Sequence, residues 1–353
     1  VGGLNILVTA GLLAGTTVFL HQKYELKKVI SDLPAVDCVI LVPAILNELL
    51  REDEFVKNDF PNKRKENWKF TDLEKILNFK FKELSVYNKK NTITFDEKLQ
   101  FDHYYLISIN GELVNYNLKL SDGSQDKKST NLTKISSLND HPIYSKILKS
   151  DDKKVSSDNI NIDEMLSMNL AFTDRGYSFQ IFKDLDKPLV IYNFFDEKLE
   201  NKLISNSNLI SISNSKVKII ELNIDKSKSN YFKNTFQKFQ INESEVDYYF
   251  VNYNKSNGFN YTKNIIEIND SKSKFGSKLK YFIFGSGSKF RKDDYEIFLD
   301  GENSFAKINS AAILKKSQHH EIKTKMSHSE PNCESYQKIK NILLNDSKGI
   351  FQG

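Results

Sequence analysis

The sequence predicts a mainly β chain built from many short strands with polar corners. Three observations carry this. First, apolar and β-branched runs recur from about residue 92 onward, as in Tyr104-Tyr105-Leu106-Ile107-Ser108-Ile109 and Val217-Lys218-Ile219-Ile220-Glu221-Leu222. Second, clusters of Asn, Asp, Ser, Gly and Lys separate these runs, for example Asn110-Gly111 and Ser213-Asn214-Ser215. Third, 353 residues with 39% hydrophobic and 27% charged content suffice for a large soluble core. Strands of four to six residues suit either a sandwich or a β-solenoid. No strict repeat period is visible, so pattern alone leaves both open.

The chain starts with a different texture. Leu4 to Leu20 holds no charge, and as a helix it would span about 25 Å, the short limit for crossing a bilayer. Asn5, Thr9, Thr16 and Thr17 count against a membrane span, and a buried or partner-packed segment is the expectation. A second apolar run, Val36 to Leu46, is interrupted by Asp37 and Pro43 and contains Cys38, read as a buried thiol. Residues 1–50 receive no function. Residues 51–92 form a helical N-terminal region, and 93–353 the β core.

Within the helical region, Asp53 to Lys65 is charged and turn-rich. Thr71 followed by Glu74 has capping-box spacing and predicts a helix starting at Thr71, with Leu73, Ile76 and Leu77 as its apolar stripe. Trp68, the only tryptophan, is expected to anchor that helix to the next domain. Further strands are expected at Leu209–Ile212, Val246–Val251 and Tyr281–Phe284, and a longer helix between Asp158 and Phe172. Gly285-Ser286-Gly287-Ser288 reads as a turn.

Near the end of the chain, His320, Ile322, Thr324, Met326 and His328 alternate with Glu321, Lys323, Lys325 and Ser327. Such alternation predicts a half-buried strand with its charges toward solvent. His320 and His328 would share a face but lie about 26 Å apart on a straight strand. Ligands of one metal must lie within about 4 Å of each other. The pair cannot share a metal unless the chain turns, and His319 and Cys333 would join a ligand set only if a corner folded them together.

Composition excludes several classes. The 51 basic and 46 acidic residues are intermixed, so a net charge of +5 argues only weakly for a nucleic-acid partner, and none is expected. Two cysteines without a Cys-x-x-Cys exclude a zinc ribbon and fit a reducing compartment. No Gly-x-x-x-x-Gly-Lys-(Ser/Thr) is present, so the chain itself is not expected to hydrolyse ATP.

Three ordered motifs carry a family resemblance. Glu66-Asn67-Trp68-Lys69-Phe70-Thr71-Asp72-Leu73 is similar to a signature of the SufD branch of the SufB/SufD family. Asn169-Leu170-Ala171-Phe172, Asp174, Gly176 and Pro188 form a second match. His320, His328, Ser335, Lys340, Gly349, Phe351 and Gly353 form the third. The resemblance covers about Asp53 to Gly353. It implies a right-handed parallel β-helix with a helical N-terminal part. It also implies a cytoplasmic, non-enzymatic scaffold subunit of the Suf machine, pairing with a SufB-like subunit and a SufC-like ATPase around a nascent iron–sulfur cluster. Membrane association is not expected. The motif residues are read as structural, and no catalytic, cofactor-binding or metal site is assigned to this chain. The family's later cluster motif and helical tail have no counterpart before Gly353. The chain is therefore read as truncated, with no cofactor bound by it alone and with an aggregation-prone open end. The alternative class is a carbohydrate-active enzyme or adhesin on a β-solenoid, which would want a stripe of charge along one face.

Overall fold

In the computed structural model, residues 61, 63–77, 83–84, 99–118, 131–135, 163–173, 175–195, 199–225, 227–253, 256–269 and 276–353 are described. The apolar runs of residues 1–50, Cys38 and Asp174 lie outside them.

Long parallel strands alternate between two sheets. The first sheet runs β17-β15-β13-β11-β9-β7-β5-β4. Its strands are β4 (Asn131–Ile135), β5 (Gly176–Ile181), β7 (Lys202–Ser213), β9 (Phe232–Asn242), β11 (Phe259–Asn269), β13 (Phe290–Leu299), β15 (His319–His328) and β17 (Lys348–Gln352). The short β1 (Glu83–Leu84) also pairs with β7. The second sheet runs β16-β14-β12-β10-β8-β6-β2-β3. It contains β2 (Tyr104–Ile109), β3 (Glu112–Tyr116), β6 (Leu189–Phe195), β8 (Lys216–Asp225), β10 (Glu245–Tyr253), β12 (Lys278–Ser286), β14 (Phe305–Leu314) and β16 (Glu334–Leu343). Each coil contributes one strand to each sheet, and every pairing from β5 onward is parallel. This is a β-solenoid of about six turns, as the resemblance implies.

The repeat hides because its length varies. Phe232 pairs with Phe259, 27 positions on, and Phe259 with Phe290, 31 on. In the other sheet Val246 pairs with Leu279, 33 on. What repeats faithfully is a corner. Ser215, Ser244, Ser277 and Ser304 stack there and are all buried. Ser215 N–H donates to Ser244 Oγ at 3.1 Å, and Ser244 N–H to Ser277 Oγ at 3.3 Å. Among the described residues, six of the nine non-glycine residues at positive φ are asparagines, Asn110, Asn201, Asn214, Asn303, Asn332 and Asn345. Asparagine tolerates that conformation, so the Asn-rich clusters are corners, as the pattern predicts.

The expected strands are present but longer, nine to twelve residues in the middle coils. The polar run Ser205, Asn206, Ser207 and Asn208 is buried inside β7. The lumen between the sheets is apolar and aromatic, with Phe179, Ile210, Phe239, Tyr248, Ile266, Tyr281 and Ile297 in one cluster.

Among the described residues, two α-helices lie on the outer face of the first sheet. The α1 helix (Leu73–Ile76) is one turn long, and its N-cap is Asp72, not the expected Thr71. Asp72 accepts from Lys75 N–H, while Thr71 turns into the protein. The α2 helix (Glu164–Phe172) lies within the predicted helical span and is capped by Asp163. Asn169 of the second motif donates to the carbonyls of Asn206 (3.1 Å) and Asn234 (2.9 Å), pinning α2 to two coils. Gly176 has φ of +138°, and a Cβ there would sit 1.8 Å from the Ser207 carbonyl oxygen. Only glycine fits. Pro188 accepts from Tyr104 N–H at 2.9 Å, entering the second sheet.

Candidate functional site

Strands β13 and β15 concentrate the chemistry. Along β13, Phe290, Lys292, Asp294 and Glu296 face outward, and Arg291, Asp293 and Tyr295 face the lumen. All are buried. Along β15, His319 and Glu321 face outward and His320 and Ile322 inward. The expectation that Glu321 faces solvent is therefore corrected: its relative exposure is 0%. The reason is the N-terminal segment, which covers this face.

That segment is the first motif. Trp68 stacks on Tyr261 at 5.5 Å and joins Leu73, Phe232, Phe259 and Phe290 in a buried cluster. It anchors the helical region, as read from the sequence. Thr71 Oγ1 donates to Glu321 and lies 3.1 Å from His319 Nε2. Lys292 Nζ donates to the same Glu321, to the Asn67 carbonyl at 3.0 Å, and sits over the Trp68 ring at 4.7 Å. Lys323 Nζ donates to Asn67 Oδ1 at 2.7 Å. The first motif and strands β13 and β15, some 225 to 256 positions apart, therefore form one network, buried at Thr71, Lys292 and Glu321. Burial would raise the Glu321 carboxyl, but hydrogen bonding from His319 and the Lys292 charge outweigh it and hold the carboxyl low. Burial pushes Lys292 down despite Glu321.

Further along the same face, Lys263 pairs with Asp294 (3.1 Å), with Glu296, and with Asp163 at the start of α2 (3.9 Å). Burial opposes its charge, yet these carboxylates hold Lys263 above the usual lysine range. Lys238 pairs with Glu267 at 2.8 Å. Lysine–carboxylate pairs thus line this outer face, with those of Lys263 and Lys292 joined to α2 and to the N-terminal segment.

The lumen side carries a second cluster. Arg291 Nε bonds Asp293 at 2.6 Å, and His320 Nε2 lies 3.4 Å from the same carboxylate. The guanidinium sits over Phe250 at 4.4 Å. Burial pushes His320 down; Asp293 is held low because Arg291 and His320 outweigh its burial. A Cβ at Gly285 would lie 2.8 Å from the His320 ring. This glycine is thus the last inward position of β12, closing on the cluster. Deeper in, Glu221 accepts from Tyr248 Oη at 2.5 Å and from Asn193 Nδ2 at 2.7 Å, and burial raises its carboxyl. Burial brings the neighbouring Lys233 down to about 8.

The remaining motif residues are scattered. His328 is exposed and bonds Ser335 at 2.9 Å. Lys340 is exposed on β16, Gly349 packs against Asn341 and Leu343, and Phe351 is 44% exposed, with Gly353 beyond it. The unbroken β15 keeps His320 and His328 apart. His319 begins that strand and Cys333 follows it, Sγ beside the Gly301 carbonyl at 3.2 Å, so no corner joins them. Among the described residues, no group of three or more His, Cys, Asp or Glu side chains is placed to hold a metal ion, and no helix is long and apolar enough to cross a membrane. Sequence reasoning missed Lys292, Asp293, Asp294, Glu296 and Lys263. The run Arg291-Lys292-Asp293-Asp294 carries charge at every position, which masks the strand's alternation.

The described residues thus form a parallel β-solenoid strapped by an N-terminal segment, with lysine–carboxylate pairs beneath the strap. Residues 195–353, from the end of β6 through β17, match the family model for the SUF system FeS cluster assembly, SufBD core domain. The match supports placing the chain in the SufB/SufD family and a part for it in iron–sulfur cluster assembly. No curated protein matches the chain.

Proposed function

We propose that the chain acts as a SufD-like scaffold subunit of the Suf complex. It pairs with a SufB-like subunit and a SufC-like ATPase, and the assembled complex builds and transfers iron–sulfur clusters. The SufBD core match over the coils from β7 to β17 carries the reading. The SufD branch rests on the resemblance at Glu66-Asn67-Trp68-Lys69-Phe70-Thr71-Asp72-Leu73. In this reading the subunit is cytoplasmic and is no enzyme. It lacks a phosphate-binding loop, so ATP turnover belongs to the partner. The cluster is cargo of the complex, and no residue here is assigned as its ligand.

Co-expression with a SufB-like and a SufC-like subunit tests it, followed by size-exclusion chromatography and ATPase assay. The expected result is a stable complex containing all three chains, with no ATPase activity in this chain alone. Failure to co-elute with either partner, or a stoichiometric cluster reconstituted on this chain alone and lost on Cys333→Ser, overturns it.

A further inference from the structure

The outer face of the second sheet is organised in columns along the solenoid axis. In parallel register, each outward residue sits directly above its counterpart in the next coil. Ile220, Tyr249 and Phe282 form one column, and Leu222 and Val251 begin the next. These side chains are half-buried, and Tyr249 is exposed. One coil earlier the columns continue into Val190 and Tyr192, which are fully buried. There the chain covers itself: Leu99 N–H donates to Tyr192 Oη at 3.1 Å, and His103 Nε2 lies 2.9 Å from it.

Beside the apolar columns runs a lysine-rich pair. Lys216, Glu245 and Lys278 stack in one, and Lys218, Asp247, Lys280 and Lys307 in the other. Glu245 is shared between Lys216 (3.3 Å) and Lys278 (3.5 Å), and Asp247 lies 3.9 Å from Lys280. Lys218 and Lys307 make no ion pair among the described residues. Five lysines against two carboxylates leave this strip positive. The linear sequence shows no such stripe, because its members are 27 to 33 residues apart (280 to 307, and 247 to 280).

We propose that this face docks an acidic amphipathic helix of a partner protein. Both kinds of column run parallel to the solenoid axis. A helix laid along that axis sets its apolar side on Ile220, Tyr249 and Phe282 and its acidic flank on Lys218, Lys280 and Lys307. The apolar column covers three strands, β8 to β12, before Asn309 follows Phe282, and the lysine column reaches Lys307 on β14. Four strands span about 14 Å at the usual strand spacing, the length of a helix of about 10 residues. The mode is helix on an apolar face with charge at the rim, where charge sets orientation and on-rate.

The test uses the full chain and two labelled 14-residue peptides, with Leu on one helical face and either Glu or Lys on the other, read by fluorescence anisotropy. The Glu peptide is expected to bind at least tenfold more tightly than the Lys peptide, and more weakly as salt rises. The triple variant Lys218→Glu, Lys280→Glu, Lys307→Glu should lose at least tenfold for the Glu peptide and gain for the Lys peptide. Lys75→Glu, on the opposite side of the molecule, should change neither. The wild-type preference needs no variant, so a misfolded variant does not spare the proposal. Equal binding of both peptides, or a folded triple variant that binds unchanged, overturns it. So does binding at this face of phosphatidylserine vesicles or of a single-stranded oligonucleotide in place of the Glu peptide.

Discussion

The outer faces of the two sheets are opposite in chemistry and opposite in coverage. On the first sheet, Lys263, Lys292, Asp294, Glu296 and Glu321 face outward and are buried beside the strap and α2, and Lys238 is buried on the same face. On the second, Ile220, Leu222, Tyr249, Val251 and Phe282 face outward and keep contact with solvent. Of the two outer faces, the covered one holds the buried ion pairs and the open one the apolar columns beside their lysine strip. An ionic layer suits a cover that must sit in one register, because each buried charge tolerates only its own partner. An apolar face with a charged margin suits a partner that comes and goes.

The largest expected effect comes from breaking the covered face. Glu321→Gln leaves the Lys292 charge buried without its carboxylate, and removing one member of a buried pair typically costs 3–5 kcal/mol. Urea denaturation should register that loss, whereas Lys280→Gln on the open face should stay within about 0.5 kcal/mol. The loss also depends on pH. The folded Glu321 carboxyl is held low, so its stabilisation is complete above the ordinary glutamate value of about 4.3. It disappears as pH falls from there through the lowered folded value, because the unfolded chain then binds the extra proton. The Glu321→Gln variant should therefore have a flatter acid limb than the wild type. A parallel limb means that the pair contributes nothing.

A middle-sized effect separates two roles for Thr71. As a helix cap its loss would cost about 1 kcal/mol whatever stands at position 321. As a donor to the buried Glu321 its loss, in Thr71→Val, should cost roughly 1–3 kcal/mol. In the Glu321→Gln background most of that cost should vanish. Additive losses in this double-mutant cycle would restore the capping role.

The contrast between the faces also explains what was legible in the sequence. Val217–Leu222 and Tyr281–Phe284 belong to the second sheet, buried on one face only, and their alternation reads correctly. Strands β9, β11 and β13 are buried on both faces, and their polar residues, such as Lys233, Asn234, Lys263 and Asp293, break the pattern that marks a strand. Trp68 is legible as an anchor because a lone tryptophan beside a helix start needs a packing partner. Glu321 is not, since its burial depends on a cover about 250 positions away. The corner serines are visible one by one, but loops of unequal length hide their stacking.

The smallest expected effect is the sharpest comparison, because it sets two tyrosines on adjacent elements of the solenoid against each other. Tyr249 on β10 and Tyr261 on β11 both point outward, from opposite sheets. Tyr261 is 1% exposed and stacked on Trp68, while Tyr249 is 36% exposed and touches Phe282 at a ring distance of 6.4 Å. Truncating a buried aromatic ring removes its transfer free energy and leaves a cavity, typically 3–5 kcal/mol in all. A ring already in contact with water loses only the part that is covered, and no cavity remains because solvent fills the space. Tyr249→Ser should therefore cost less than about 1 kcal/mol in urea denaturation, where Tyr261→Ser costs several times more. Comparable losses would mean that the second sheet's outer face is already covered within the chain, leaving no open columns for a partner helix.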